Sequence, residues 1–107
     1  MKCKIDLSPN ATKDLQRSFE WYESQSTGLG YRFIEFVEKV LDIMESHPES
    51  FPVKRNSLRE ASIQRFPYLI VYEYFPKIQK INVVHIFNSY QYPKKKYSVE
   101  KMPKNKK

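Results

Sequence analysis

The sequence predicts an α+β domain, in the order β-α-α-β-β-β, with a helical hairpin packed on an antiparallel sheet. Three observations carry this. Two apolar, β-branched and aromatic runs, Tyr68–Tyr74 and Ile81–Phe87, are separated only by the short polar link from Pro76 to Lys80, which suits two strands joined as a hairpin. Two stretches with apolar residues at three- and four-residue spacing precede them, so two amphipathic helices come before the strands. The only two glycines of the chain, Gly28 and Gly30, fall between those stripes, where one helix must stop and the chain reverse.

The elements follow in order. From Lys2 to Leu7 the chain alternates, with Cys3, Ile5 and Leu7 on one side and Lys2, Lys4 and Asp6 on the other. That is the period of a half-buried strand at a sheet edge. Ser8 can cap a helix, and Pro9 suits its first turn. Ala11, Leu15, Phe19 and Tyr22 form the stripe of that helix, with Ser18 on it and Trp21 beside it, half exposed. A second helix is expected from about Tyr31 to Ser46. Its buried stripe is Phe33, Phe36, Val37, Val40, Leu41 and Met44, while Glu35, Glu38, Lys39, Asp42 and Glu45 face out. The short link makes an antiparallel helical hairpin. His47-Pro48 closes it, and Glu49 to Ser57 reads as a loop. A weakly apolar strand is expected from Leu58 to Gln64, near an edge.

The stretch Arg65-Phe66-Pro67-Tyr68-Leu69-Ile70-Val71-Tyr72 leads into the central strands. Pro67 has no N–H to donate and therefore marks a strand boundary. By alternation Tyr68, Tyr72 and Tyr74 pack under the helices. An aromatic-rich sheet can also stack single-stranded RNA bases, as an RNA-binding module would.

At 107 residues the chain supports one core. The expected domain spans residues 1–97, and a basic tail spans residues 98–107. No apolar run approaches the roughly 18 residues needed to span a bilayer. No secretory signal is evident, so a cytoplasmic location is expected. The formal net charge of +7 is unevenly placed. From Lys94 onward there are seven lysines and a single acid, Glu100; the rest of the chain carries twelve Lys or Arg against eleven Asp or Glu. The body is thus nearly neutral, which argues against a basic RNA-binding sheet face.

Several chemistries lack their residues. Two glycines cannot make a phosphate loop. One cysteine, Cys3, and two histidines distant in sequence, His47 and His85, make no metal-ligand pattern. No metal and no cofactor is expected. His47 sits beside a helix end, where a cation meets the dipole favourably. His85 falls by alternation on the face of Ile81, Val83 and Phe87. No serine has a neighbourhood that marks a nucleophile.

The ordering and landmarks resemble the RelE/ParE superfamily of type II toxins, the toxin components of plasmid-stabilisation modules. The resemblance rests on Leu7-Ser8-Pro9-Asn10-Ala11 followed by Asp14-Leu15, on the helical hairpin with Phe33 ending before Pro48, on Arg65–Tyr72, and on Phe87-Asn88-Ser89 followed by Tyr92-Pro93-Lys94-Lys95. It covers about residues 1–97. It implies a growth-inhibiting toxin held inactive by a cognate antitoxin in a toxin–antitoxin hetero-oligomer. Trp21, Tyr22 and Tyr31 are the candidate antitoxin-binding surface, since aromatics anchor interfaces.

The family divides by target. The RelE-like branch cleaves mRNA in the ribosome, and the ParE-like branch inhibits DNA gyrase. Cleavage by the 2′-hydroxyl needs a base, an acid and cations for the phosphorane. Arg65 stands where RelE-like nucleases place an arginine against the phosphate, and Tyr97 falls near a C-terminal tyrosine of that branch. These two are the catalytic candidates if the chain is a nuclease. Two positions depart from that pattern. Asn88 stands where many relatives have His, and Gln91 where they commonly have Arg; neither can carry a proton in general acid–base catalysis. The residues therefore lean to the ParE-like, non-nuclease branch, with Arg65, Gln91, Lys94, Lys95 and Lys96 as candidate target contacts. The mRNA endonuclease, a drifted member that poisons nothing, and the RNA-binding module are the alternatives.

Overall fold

The structure, a computed structural model, describes residues 2–89. Its elements are β1 (Lys4–Leu7), α1 (Pro9–Gln25), α2 (Leu29–Ser46), β2 (Val53–Arg55), β3 (Leu58–Ser62), β4 (Tyr68–Phe75) and β5 (Lys80–Asn88). The five strands form one sheet in the order β1-β5-β4-β3-β2. The helical hairpin lies on one face of that sheet, so the α+β class read from the sequence holds.

Two features of the sheet differ from the sequence expectation. The segment expected as a loop contains β2, which pairs antiparallel with β3 across a tight turn at Asn56 and Ser57. Asn56 has φ +52°, a left-handed conformation that Asn tolerates and that hairpin turns require. In addition, β1 pairs parallel with β5, from Lys4 beside Lys80 to Leu7 beside Val83. The sheet is therefore mixed, with β1 at one edge and β2 at the other.

Each helix starts where its sequence allows. Ser8 caps α1 by accepting the Ala11 N–H at 3.0 Å, and the same hydroxyl donates to the Val84 carbonyl at 2.9 Å. One side chain thus satisfies an orphan helix donor and fastens the helix start to β5. Gly28 ends the link with φ +91°, and α2 begins immediately after it, two residues earlier than the apolar stripe suggests. The α2 N-terminus is capped from the other helix. Glu23 accepts the N–H of Gly28 at 2.8 Å and that of Gly30 at 2.9 Å on its two carboxylate oxygens, a charge-assisted arrangement the helix dipole favours. Gly30 answers a different demand. A Cβ there would lie 2.7 Å from the Phe19 carbonyl oxygen and 2.8 Å from the Phe19 ring, so the two helices cross in contact at this point.

The core lies between hairpin and sheet. Phe33, Val37 and Met44 of α2 face Ile70 and Tyr72 of β4 and Ile81, Val83 and Ile86 of β5, all essentially excluded from solvent. The register puts Ile70 opposite Ile86, Tyr72 opposite Val83 and Tyr74 opposite Ile81. These residues share the helix-facing side by the two-residue period of a strand. Between Val71 and Tyr72 the register shifts by one residue on β5. This bulge reverses the alternation, so His85 pairs with Val71 and lies on the side away from Ile81 and Val83, contrary to a simple count along the strand.

Where β1 stops, α1 takes over the edge of β5. The Ser8 N–H donates to the Val83 carbonyl at 2.9 Å. One turn into the helix, Asp14 accepts the Ile86 N–H at 3.0 Å and lies 3.2 Å from His85 Nδ1. A carboxylate thereby does for the strand edge what a neighbouring strand would do.

Candidate functional site

The link between β3 and β4 carries Arg65, and its shape is set by the residue after it. Phe66 inserts into an aromatic cluster, with ring centroids 5.0 Å from Tyr22, 5.2 Å from Phe33 and 5.9 Å from Phe36. These are edge-to-face or tilted contacts, the geometry aromatic pairs prefer. Pro67 follows, and its carbonyl accepts the Ser89 N–H at 2.7 Å and the Ser89 hydroxyl at 3.2 Å. With Phe66 half-buried in that cluster and Pro67 fixed, Arg65 is turned outward in a left-handed conformation, φ +70°. A non-glycine residue in that region is held there by its surroundings.

Arg65 does not stand alone. Its guanidinium carbon lies 5.8 Å from the centre of the Phe36 ring; Arg32 lies 6.0 Å and Lys39 4.6 Å from the same centre. Arg32 and Lys39 are seven residues apart on α2, two turns along one helix face. All three are exposed. Among the described residues no carboxylate lies within ion-pair distance of any of them. The described surface therefore gathers three cations around one aromatic ring, a contact that favours positive charge.

The aromatic candidates divide. Trp21 is 56% exposed and Tyr31 66% exposed. Trp21 rests edge-on against Tyr22, and Tyr31 edge-on against Phe19, each at 5.0 Å. Both present large amphipathic rings on the outside of the hairpin. Tyr22 is a core residue, 9% exposed and packed among Phe33, Phe66 and Tyr68. Burial pushes its phenol pKa up, and Tyr68 adds to the shift. Its ring supports the surface from beneath.

The remaining candidates, Gln91, Lys94, Lys95, Lys96 and Tyr97, lie outside the described residues, as does the expected boundary between domain and tail. Of the candidate target contacts, Arg65 is the one that lies among the described residues.

The strand tyrosines face the helices. Tyr72 is fully buried, its hydroxyl donates to the Pro48 carbonyl at 2.7 Å, and burial pushes its pKa up to about 12. Tyr68 and Tyr74 share that side, half buried against the core. With the hairpin over them they form no open stacking platform, which removes the physical basis of the RNA-binding-module alternative. Both histidines belong to the framework. His47 is the C-cap of α2, its N–H donating to the Ile43 carbonyl at 2.7 Å. His85 is held by Asp14 on one nitrogen, and its other nitrogen is buried.

Sequence reasoning gave no site role to Arg32, Lys39, Glu23 or Asp14. The spacing of Arg32 and Lys39 on either side of Phe36 was the available signal for the cationic cluster. Nothing local announces that Glu23 caps the next helix or that Asp14 closes a strand edge.

Among the described residues, no group of three or more His, Cys, Asp or Glu is placed to hold a metal ion, and no helix is long and apolar enough to cross a membrane. Residues 5–91 match the family model of the ParE toxin of the parDE type II toxin–antitoxin system. A search of curated proteins finds no match. Among solved structures, the chromosomal ParDE toxin–antitoxin system of Pseudomonas aeruginosa is similar at 12% identity and a TM-score of 0.67, over 81% of this chain and 96% of that one. The isolated RelE toxin of Escherichia coli is similar at 12% identity and a TM-score of 0.59, over 94% and 99%. The RelBE2 toxin–antitoxin complex of Mycobacterium tuberculosis is similar at 12% identity and a TM-score of 0.57, over 82% and 99%.

Proposed function

The chain belongs to the ParE toxin family of type II toxin–antitoxin systems, and from that premise we propose that it inhibits growth in the cytoplasm by acting on DNA gyrase and is neutralised in a hetero-oligomer with a cognate antitoxin. The exposed pair Trp21 and Tyr31 offers the antitoxin its aromatic anchors. Arg65, raised on its pinned loop, is the contact offered to the target.

The commitment of both histidines to the framework supports the gyrase reading over mRNA cleavage. A nuclease of this kind needs a proton acceptor within hydrogen-bond reach of the scissile phosphate, and Arg65 marks where that phosphate would lie. His47 caps the end of α2, eleven residues past Phe36 and so roughly 16 Å farther along the helix axis. His85 is engaged by Asp14. The exposed guanidinium of Arg65, with no carboxylate at ion-pair distance among the described residues, is the observation that favours the second reading, a ribosome-dependent mRNA endonuclease with Arg65 and Tyr97 as its catalytic residues.

Paired pulse-labelling of DNA and protein synthesis after tightly controlled induction separates the two. A fall in DNA synthesis first, with loss of supercoiling activity in a purified gyrase assay, is the expected result. An earlier fall in protein synthesis would replace it with the nuclease reading. Arg65→Ala is expected to relieve the toxicity in either case.

A further inference from the structure

We propose that Arg32, Lys39 and Arg65 together form a docking site for an acidic peptide segment, and that the segment belongs to the antitoxin; the identity of that occupant rests on the function proposed above. The three charges converge from two separate elements on the ring of Phe36. The two guanidinium carbons are no more than about 12 Å apart, because each lies within 6.0 Å of the same ring centre. Like charges brought this close repel one another, and among the described residues no carboxylate lies within ion-pair distance of any of them. A ligand that brings carboxylates relieves the repulsion and gains charge-assisted hydrogen bonds, bidentate at each guanidinium. The loop also lowers the cost of ordering. Arg65 is fixed at its backbone by the insertion of Phe66 and the pairing of Pro67 with Ser89, and Arg32 and Lys39 stand on a helix.

The surroundings distinguish a peptide from a nucleic acid. Glu35 is exposed on the same stretch of α2, three residues after Arg32 and four before Lys39. A phosphodiester backbone carries charge continuously and would meet Glu35 beside the two α2 cations, its neighbours at three- and four-residue spacing. On the farther flank, Glu38, Asp42 and Glu45 line a groove of about 320 Å³ with Ile5, Leu7 and Leu41, which would repel a polyanion extending across the helix. A peptide can place discrete carboxylates at three points and keep neutral or basic residues opposite the acids. Such a division of charge across one helix gives register as well as attraction.

The test uses the full chain labelled with nitrogen-15 and titrated with a hexaglutamate peptide, and separately with a 20-base-pair DNA duplex, at low salt. The peptide is expected to shift the resonances of Arg32, Lys39 and Arg65 saturably. The charge-reversal variant R32E/K39E is expected to weaken its binding about tenfold or more. Both substituted side chains are exposed, so the variant should keep the circular dichroism spectrum and melting temperature of the parent. Shifts confined to residues 94–107, unchanged affinity in the variant, or tighter binding of the duplex than of the peptide would each overturn the proposal. A second arm measures binding of the protein encoded by the neighbouring gene. If it binds the parent, and R32E/K39E binds with the same affinity and salt dependence, the docking site is wrong and the toxin–antitoxin reading stands. If no complex forms with the parent, that reading and the named occupant both fall.

Discussion

Glu23, at the end of one helix, binds the backbone of Gly30 in the next, its carboxylate oxygen 2.9 Å from the glycine N–H. The contact fixes the hairpin at the level where Gly30 also lies against Phe19. The two helices therefore meet by backbone approach and by a charged cap at one place.

The expected consequence is sharp sensitivity at Gly30. Replacing it by Ala puts a methyl group 2.7 Å from a backbone oxygen, which cannot swing away as a side chain could. Gly30→Ala is expected to cost about 1–3 kcal/mol in urea denaturation, despite the better helix propensity of Ala. A variant as stable as the parent would show that the helices can part at no cost.

The edge of β5 offers a second test. Asp14→Ala leaves the Ile86 N–H without its acceptor and removes the partner of His85 Nδ1. An unsatisfied buried donor costs about 1–3 kcal/mol. Hydrogen exchange should localise the loss, with the Ile86 amide losing protection while the amides of β3 keep theirs. Equal loss across the sheet would point to global destabilisation alone.

Alkaline titration addresses Tyr72. Its pKa rises from 10.0 to about 12 on folding, with burial the main cause and the Arg59 charge opposing it. The neutral phenol therefore stabilises the folded state below pH 10, and that contribution declines as pH rises through 10 toward 12. Tyr72→Phe is expected to be less stable by about 1 kcal/mol at neutral pH, from the lost bond to Pro48. The gap should narrow above pH 10, measured by denaturation at a series of pH values. The upward shifts at Tyr22 and Tyr74 act in the same direction in both proteins.

The hairpin aromatics separate binding from folding. Trp21→Ala and Tyr31→Ala should each change stability by less than about 1 kcal/mol while weakening antitoxin binding about tenfold or more. Tyr22→Ala should instead cost about 3–5 kcal/mol of folding free energy, as for other buried aromatics. Calorimetry of binding alongside thermal melts distinguishes the three.

Much of this architecture was legible because its elements bury one face. The stripe from Phe33 to Met44 and the run from Tyr68 to Tyr74 announced α2 and β4 directly. β2 left no such trace: its three residues are all exposed, so no alternation exists to read. The direction of β1 was hidden because its partner lies far along the chain. The bulge after Tyr72's partner defeated the count that put His85 with Ile81 and Val83, since a single extra residue inverts every side chain beyond it. The site was half legible. Arg65 stood out as an arginine before a strand, but Arg32 and Lys39 looked like ordinary solvated charges until the fold brought the Arg65 loop over Phe36.

The parallel pairing of β1 with β5 joins Lys4 to Lys80, and it sets a clock on biosynthesis. The hairpin can form from residues already made, yet the first strand has no seat until the last one has left the ribosome. Closing so long a loop is slow compared with forming local contacts. The nascent chain thus spends most of its synthesis as a hairpin with an unplaced N-terminus. A complete sheet, and with it the pairing of Pro67 with Ser89 that fixes the Arg65 loop, exists only once β5 has been made.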